Sequence, residues 1–248
     1  MRKEDLMIFI EKLKNPEVVL EYCRVFHEFE PRDLAYIVSR YIVEQRPYDD
    51  YFVLAGAKMI ILSWNAAMFL KLSREDKRRF DEDILEAYRE CKTIFKFLEN
   101  KRLEELDLSD MKIRELIVRA FNAFASRKRI GSTGASKILH IILPNVFVMW
   151  DSRIREAYHK LHTKDHKVGS AECYFEFLRQ TQHIVVDLLS KVDEEELWKR
   201  HLSIYSINDR KLIETFNFRE TVLKMLDECN YVKISLRQCQ KNMDETRI

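Results

Sequence analysis

Apolar residues recur along most of this chain at three- and four-residue intervals, the spacing that gathers them on one face of an α-helix. The clearest stripe runs through Ile113, Leu116, Ile117, Ala120, Phe121 and Phe124, which leaves Lys112, Arg114 and Arg119 on the outer side. Ser109 is the expected cap of that helix. Asn15-Pro16, Glu30-Pro31 and Arg46-Pro47 mark further helix starts, because proline costs nothing in a first turn where its missing N–H has no partner. Ser73 is expected to cap a long helix over 74–100. Segments 152–162 and 170–190 also read as helices, and the acids Asp193, Glu194, Glu195 and Glu196 suit a helix N-terminus. The apolar run 51–70 is interrupted by Lys58, Ser63 and Asn65, so it predicts a buried core helix and not a membrane span. Near the end, Val232, Ile234 and Leu236 alternate in a way that also fits a short strand.

Composition narrows the fold class. Four glycines and four prolines in 248 residues are too few to punctuate an all-β or α/β chain, which makes the protein all-α. Its five cysteines are scattered without a C-x-x-C pair, which argues against a disulfide framework, a cysteine zinc site or an iron–sulfur cluster. They read as buried thiols in a reducing compartment. The apolar run at 6–10 is too short for a secretory signal. The expected location is therefore cytoplasmic, or nuclear in a eukaryote.

Net charge is only +2, but it is unevenly spread: residues 111–167 hold twelve Lys/Arg against four Asp/Glu. Such a segment fits a face that meets a polyanion. At its centre, Arg127-Lys128-Arg129 precedes Gly131-Ser132-Thr133-Gly134. The predicted arrangement is helix, glycine turn at 131–134, then a second helix over 135–143. A helix N-terminus opening on a glycine turn favours phosphate, because unsatisfied N–H groups and the helix dipole point outward there. Downstream, Asp151 ends the apolar run Val146-Phe147-Val148-Met149-Trp150 and opens a basic helix containing Arg153. It is a natural N-cap. Beside Trp150 and Phe147 it would also be partly desolvated, as befits a group acting at a reacting centre.

Three segments together carry a resemblance. Ile130-Gly131-Ser132-Thr133-Gly134-Ala135-Ser136-Lys137 resembles the helix-hairpin-helix of the DNA glycosylase superfamily that includes endonuclease III and the 8-oxoguanine glycosylases. Val148-Met149-Trp150-Asp151-Ser152-Arg153-Ile154 is similar to that family's segment with its essential aspartate. Ile61-Leu62-Ser63-Trp64-Asn65-Ala66 is similar to the segment whose Asn or Gln fills the gap left by a flipped base. The hairpin departs from the family form L-P-G-V-G-x-K. Gly131 stands where proline is common, and alignment on Gly134 puts the family lysine at Ser136, one residue before Lys137.

The resemblance implies a base-excision DNA glycosylase, with strand cleavage through a lysine Schiff base if Lys137 is the nucleophile. Asp151 and Lys137 would be catalytic. Asn65, Arg127, Lys128, Arg129, Gly131, Ser132, Gly134, Ser136 and Arg153 would contact DNA, and Trp64 and Trp150 would line the base pocket. It implies two helical lobes, one over 51–145 and the other from 1–50 with 146–248, and Asp151 in the cleft between them. The expected partner is double-stranded DNA carrying a damaged base, bound by a monomer without cofactor or metal. His159, His162 and His166 share a helical spacing, but the lysines around them and Gly169 suit an exposed helix end better than a metal site. A helical protein that docks on nucleic acid without chemistry is the alternative, and Asp151 is the residue that distinguishes them, because a docking face gains nothing from a carboxylate aimed at phosphates.

Overall fold

Polar side chains set most helix starts by accepting backbone N–H bonds that the first turn cannot satisfy internally. Asn15 caps the helix that opens at Pro16, with the proline in its first turn. Ser73 and Asp151 do the same where the sequence predicts caps, and Ser170 and Asp193 cap the helices expected to begin near them. The computed structural model describes residues 1–30, 33–161 and 166–236, so the expected start at Pro31 lies outside the described residues. The described residues form thirteen α-helices and contain no strand. In chain order these are α1 (Lys3–Lys12), α2 (Pro16–Phe29), α3 (Asp33–Gln45), α4 (Asp50–Trp64), α5 (Ala66–Leu70), α6 (Arg74–Leu98) and α7 (Met111–Ala125). They continue with α8 (Gly131–Ile142), α9 (Ser152–His159), α10 (Ala171–Leu189), α11 (Glu194–Leu202), α12 (Ile207–Thr215) and α13 (Val222–Asn230).

Three local expectations are corrected and one ambiguous segment is resolved. Asp110, not Ser109, caps α7, and Ser109 instead bonds Asp107. Pro47 lies in the turn before α4, which Asp49 caps. The ambiguous segment Tyr231–Leu236 keeps its helical reading and continues α13 as a π-helical turn, since alternation over so few residues is a weak strand signal beside tertiary packing. The turn between α7 and α8 is 126–130, and α8 already begins at Gly131. Gly131 has φ +64°, a backbone state that favours glycine. Gly134 sits in the first turn of α8, where a Cβ would lie 3.0 Å from Ile130 and 3.4 Å from Ile61 of α4.

One apolar core joins these helices, from Leu6 on α1 to Ile234 in the π-helical turn. Helix α4 packs on α3, α8 and α6, while α7 packs on α8, α6 and α10. Helix α13 lies against α2 and α10, and all nine of its residues are buried. The expected buried helix over 51–70 is cut short at Asn65, whose backbone (φ −133°, ψ 26°) separates α4, which buries Val53, Ala57, Ile60 and Ile61, from α5, which has no buried residue. Lys58 is accommodated by Asp81 of α6 at 2.8 Å. No helix among the described residues is long and apolar enough to cross a membrane.

Candidate active site

Helices α2, α4, α8, α9 and α13 converge on a small pocket of about 80 Å³. Its lining includes Trp64, Lys137, Trp150, Asp151, Asp227 and Tyr231. Four of these are residues that the sequence singles out, and they come from three separate segments. Lys137 projects from the second turn of α8, is 6% exposed, and donates from Nζ to the Trp64 carbonyl at 2.7 Å. The same ammonium stands 5.6 Å from the Trp64 ring centre, within cation–π range. Ser136, the alternative lysine position, is fully buried and bonds both backbone groups of Trp150 at 3.1 and 3.2 Å. Of the two, only Lys137 lines the pocket.

Asp151 holds two roles at once. Its Oδ1 accepts from the N–H groups of Arg153 (2.7 Å) and Ile154 (2.8 Å), which fixes the carboxylate at the start of α9. Its Oδ2 accepts from the hydroxyl of Ser235, in the π-helical turn. Arg153 reaches the same turn by donating to the Ser235 carbonyl at 2.6 Å. Trp150 is completely buried, edge-on to Phe121 and Tyr174 and stacked on Phe177, and its indole N–H donates to the Ser132 carbonyl at 3.1 Å. It forms a floor for the pocket while remaining a core residue. Asn65, next to Trp64, reaches toward Gly134 at the start of α8. The Ser132 hydroxyl accepts from Arg155.

The basic triplet is disposed unevenly. Arg127 pairs with Glu86 and Glu90 of α6 at 2.7 and 2.6 Å, and Arg129 pairs with Asp83 and Asp76 at 2.5 and 3.1 Å. Lys128 is exposed between them. A phosphate reaching Arg127 or Arg129 would compete with carboxylates already in place. His159 contacts Cys173 (Nδ1 to Sγ 3.6 Å), and His162 lies outside the described residues.

Asp227 was not anticipated. It is 4% exposed, and burial pushes its carboxyl up to about 7, against the lowering influence of Lys224 and Lys137. Asp227 shares its helix with Lys224, Glu228 and Asn230, so the sequence offers no signal that sets this acid apart as buried. One residue further, Glu228 faces a second buried polar cluster. There Lys224, fully buried, meets Glu228 Oε1 at 2.5 Å, Asp33 Oδ1 at 2.9 Å and Glu220 Oε1 at 3.6 Å. Burial alone would depress this lysine, but the carboxylates Asp33, Glu228 and Glu220 override it and hold its ammonium above the ordinary value. The cluster also holds His27, His201 and the hydroxyl of Tyr205, which donates to Glu220 at 3.0 Å and Asp33 at 3.3 Å. Trp64 touches both centres: the Lys224 Nζ stands 5.3 Å from its ring centre.

With this geometry in hand, comparison adds no relative: no family model, curated protein or solved structure matches the chain.

Proposed function

We infer that this protein is a base-excision DNA glycosylase whose active site is the Lys137–Asp151 pocket. The observation that supports this reading is the meeting of Lys137, Asp151, Trp64 and Trp150 around one pocket, from segments 61–66, 130–137 and 148–154. A nucleotide must be unstacked and turned out of the duplex before its glycosidic bond can be attacked. In the proposed complex, residues 51–145 and the flanking helices form two lobes around the DNA, and Asn65 holds the gap open. The first turn of α8 and Lys128 meet the phosphate backbone. Asp151 stabilises the positive charge that develops on the sugar as the base departs. Asp227, poised near neutrality, supplies a proton to the leaving base. The Lys137 amine, once deprotonated, attacks the anomeric carbon and displaces the base. The bond from the anomeric carbon to the ring oxygen then breaks, the ring oxygen taking the amine's proton, and the Schiff base so formed permits strand cleavage by elimination.

The test is incubation of the protein with duplexes carrying a panel of damaged bases, resolved with and without alkali. Borohydride should trap the protein on the lesion strand, and Lys137→Ala should abolish trapping. Asp151→Asn should slow base release by about three orders of magnitude while leaving duplex affinity intact. Base release that survives Lys137→Ala but not Asp151→Asn would make the enzyme monofunctional, with water as nucleophile. If the wild type acts on no lesion, the docking-only reading replaces this one.

A further inference from the structure

The second buried cluster has a geometry that hydrogen bonds alone explain poorly. His27 Nε2 of α2, His201 Nε2 of α11 and Glu228 Oε2 of α13 form a triangle with sides of 3.4, 3.2 and 3.6 Å. Three ligands at about 2.0–2.2 Å from a tetrahedral ion stand roughly 3.3–3.5 Å apart, so the triangle has the dimensions of one face of such a site. Two imidazole nitrogens facing each other at this distance need a proton or a cation between them. The other ring nitrogens are backed by acids: His201 Nδ1 lies 3.3 Å from Glu220 Oε2, and His27 Nδ1 lies 3.8 Å from Asp33 Oδ2. That is the carboxylate–histidine arrangement that orients metal-binding imidazoles.

Two further observations point to an ion. His201 Nδ1 and Glu220 Oε2, both on completely buried side chains, lack any hydrogen-bond partner of good geometry. Charge is also out of balance. With every acid ionised and both imidazoles neutral, as metal binding requires, Asp33, Glu220 and Glu228 outweigh Lys224 by two charges, which a divalent cation in place of the imidazole proton would neutralise. All four candidate ligand atoms of His27, His201, Glu220 and Glu228 lie within 4.8 Å of one another.

We propose that His27, His201 and Glu228 bind a divalent transition-metal ion, with Glu220 and Asp33 orienting the two imidazoles from behind. Zinc fits best. Its preference for tetrahedral nitrogen and oxygen ligands suits this donor set, and a hard ion such as Mg²⁺ would demand six oxygens. A water completes the fourth position. Binding displaces the proton held between the imidazoles. The ion ties α2, α11 and α13 together behind the wall of the Lys137 pocket, which places it as a structural site. The proposal stands independently of the glycosylase reading.

The full chain is dialysed against a chelator, then given Zn²⁺ or Co²⁺ alone. One zinc per chain should survive desalting, with a rise in Tm of roughly 5–10 °C at saturating zinc. Co²⁺ should give the intense visible d–d absorption of a four-coordinate site. His27→Gln and Glu228→Gln should lose both signals, whereas Glu220→Gln should keep them with about 10–100-fold weaker affinity. A chelated wild type that takes up no stoichiometric zinc or cobalt overturns the proposal, and this result needs no variant to fold. A sulfur-to-cobalt charge-transfer band would also overturn the donor set, by placing Cys23, one turn before His27 on α2, in the coordination sphere.

Discussion

Helix α13 feeds two buried polar centres from neighbouring residues, and they are built on different plans. On one side Asp227 joins Lys137 and Asp151 around a pocket, where the lysine bonds a backbone carbonyl and Asp151 is held by backbone N–H groups and a serine. On the other, Glu228 joins Lys224, Asp33, Glu220 and two histidines in a packed cluster of direct ion pairs. The first arrangement leaves room for a ligand between its groups. The second spends its contacts on itself and gains strength only if every charge in it is balanced. Buried charges are tolerated in both, but a missing partner should cost far more in the second.

Removing that partner gives the largest expected effect. Lys224→Met leaves three buried carboxylates facing each other and should destabilise the chelated protein by about 3–5 kcal/mol, read from urea unfolding. Loss of less than about 1 kcal/mol would break the comparison, because it would mean the cluster does not depend on its own lysine.

The histidines sharpen the contrast. His140 of α8 is sealed among neutral partners, donating from Nδ1 to the Phe147 carbonyl at 2.6 Å and accepting at Nε2 from the Tyr36 hydroxyl at 2.9 Å. Burial lowers it to about 3. Its folded pKa lies below the unfolded value near 6.5, so the unfolded chain binds the extra proton first. Stability is therefore lost as pH falls from about 6.5 toward 3, with about 2–3 kcal/mol gone by pH 4.5. The His140→Gln variant should flatten that slope in a pH series of unfolding curves. An unchanged slope would assign the acid sensitivity elsewhere.

The smallest effects belong to the basic triplet. Lys128→Glu should lower the slope of log affinity against log salt for duplex DNA by about one, with little change in stability. Arg127→Gln should cost under about 1 kcal/mol of stability, as expected for a partly exposed ion pair, and should change the salt slope less than Lys128→Glu does. Equal effects on the slope would show that the α6 carboxylates release Arg127 to the DNA.

Local pattern determined much of this. The helical stripe of α7, the caps Asn15, Ser73, Asp151, Ser170 and Asp193, and the shortage of glycine and proline each act over a few residues, so the all-α class and most boundaries were readable directly. The candidate pocket was partly readable too, because Trp64, Lys137 and Asp151 sit in short segments with recognisable chemistry. What the sequence could not convey is which charges become buried. Asp227, Glu228 and Lys224 lie on a helix whose every residue is covered by neighbours, and no amphipathic pattern announces that. Arg127 and Arg129 looked free beside a glycine turn, yet α6 supplies their acids from some 40 to 50 residues upstream. Two histidines that converge, His27 and His201, lie 174 positions apart. Helix formation depends on contacts within a turn or two. Pairing of buried charges depends on which helices meet, and only the tertiary packing of α2, α11 and α13 decides that.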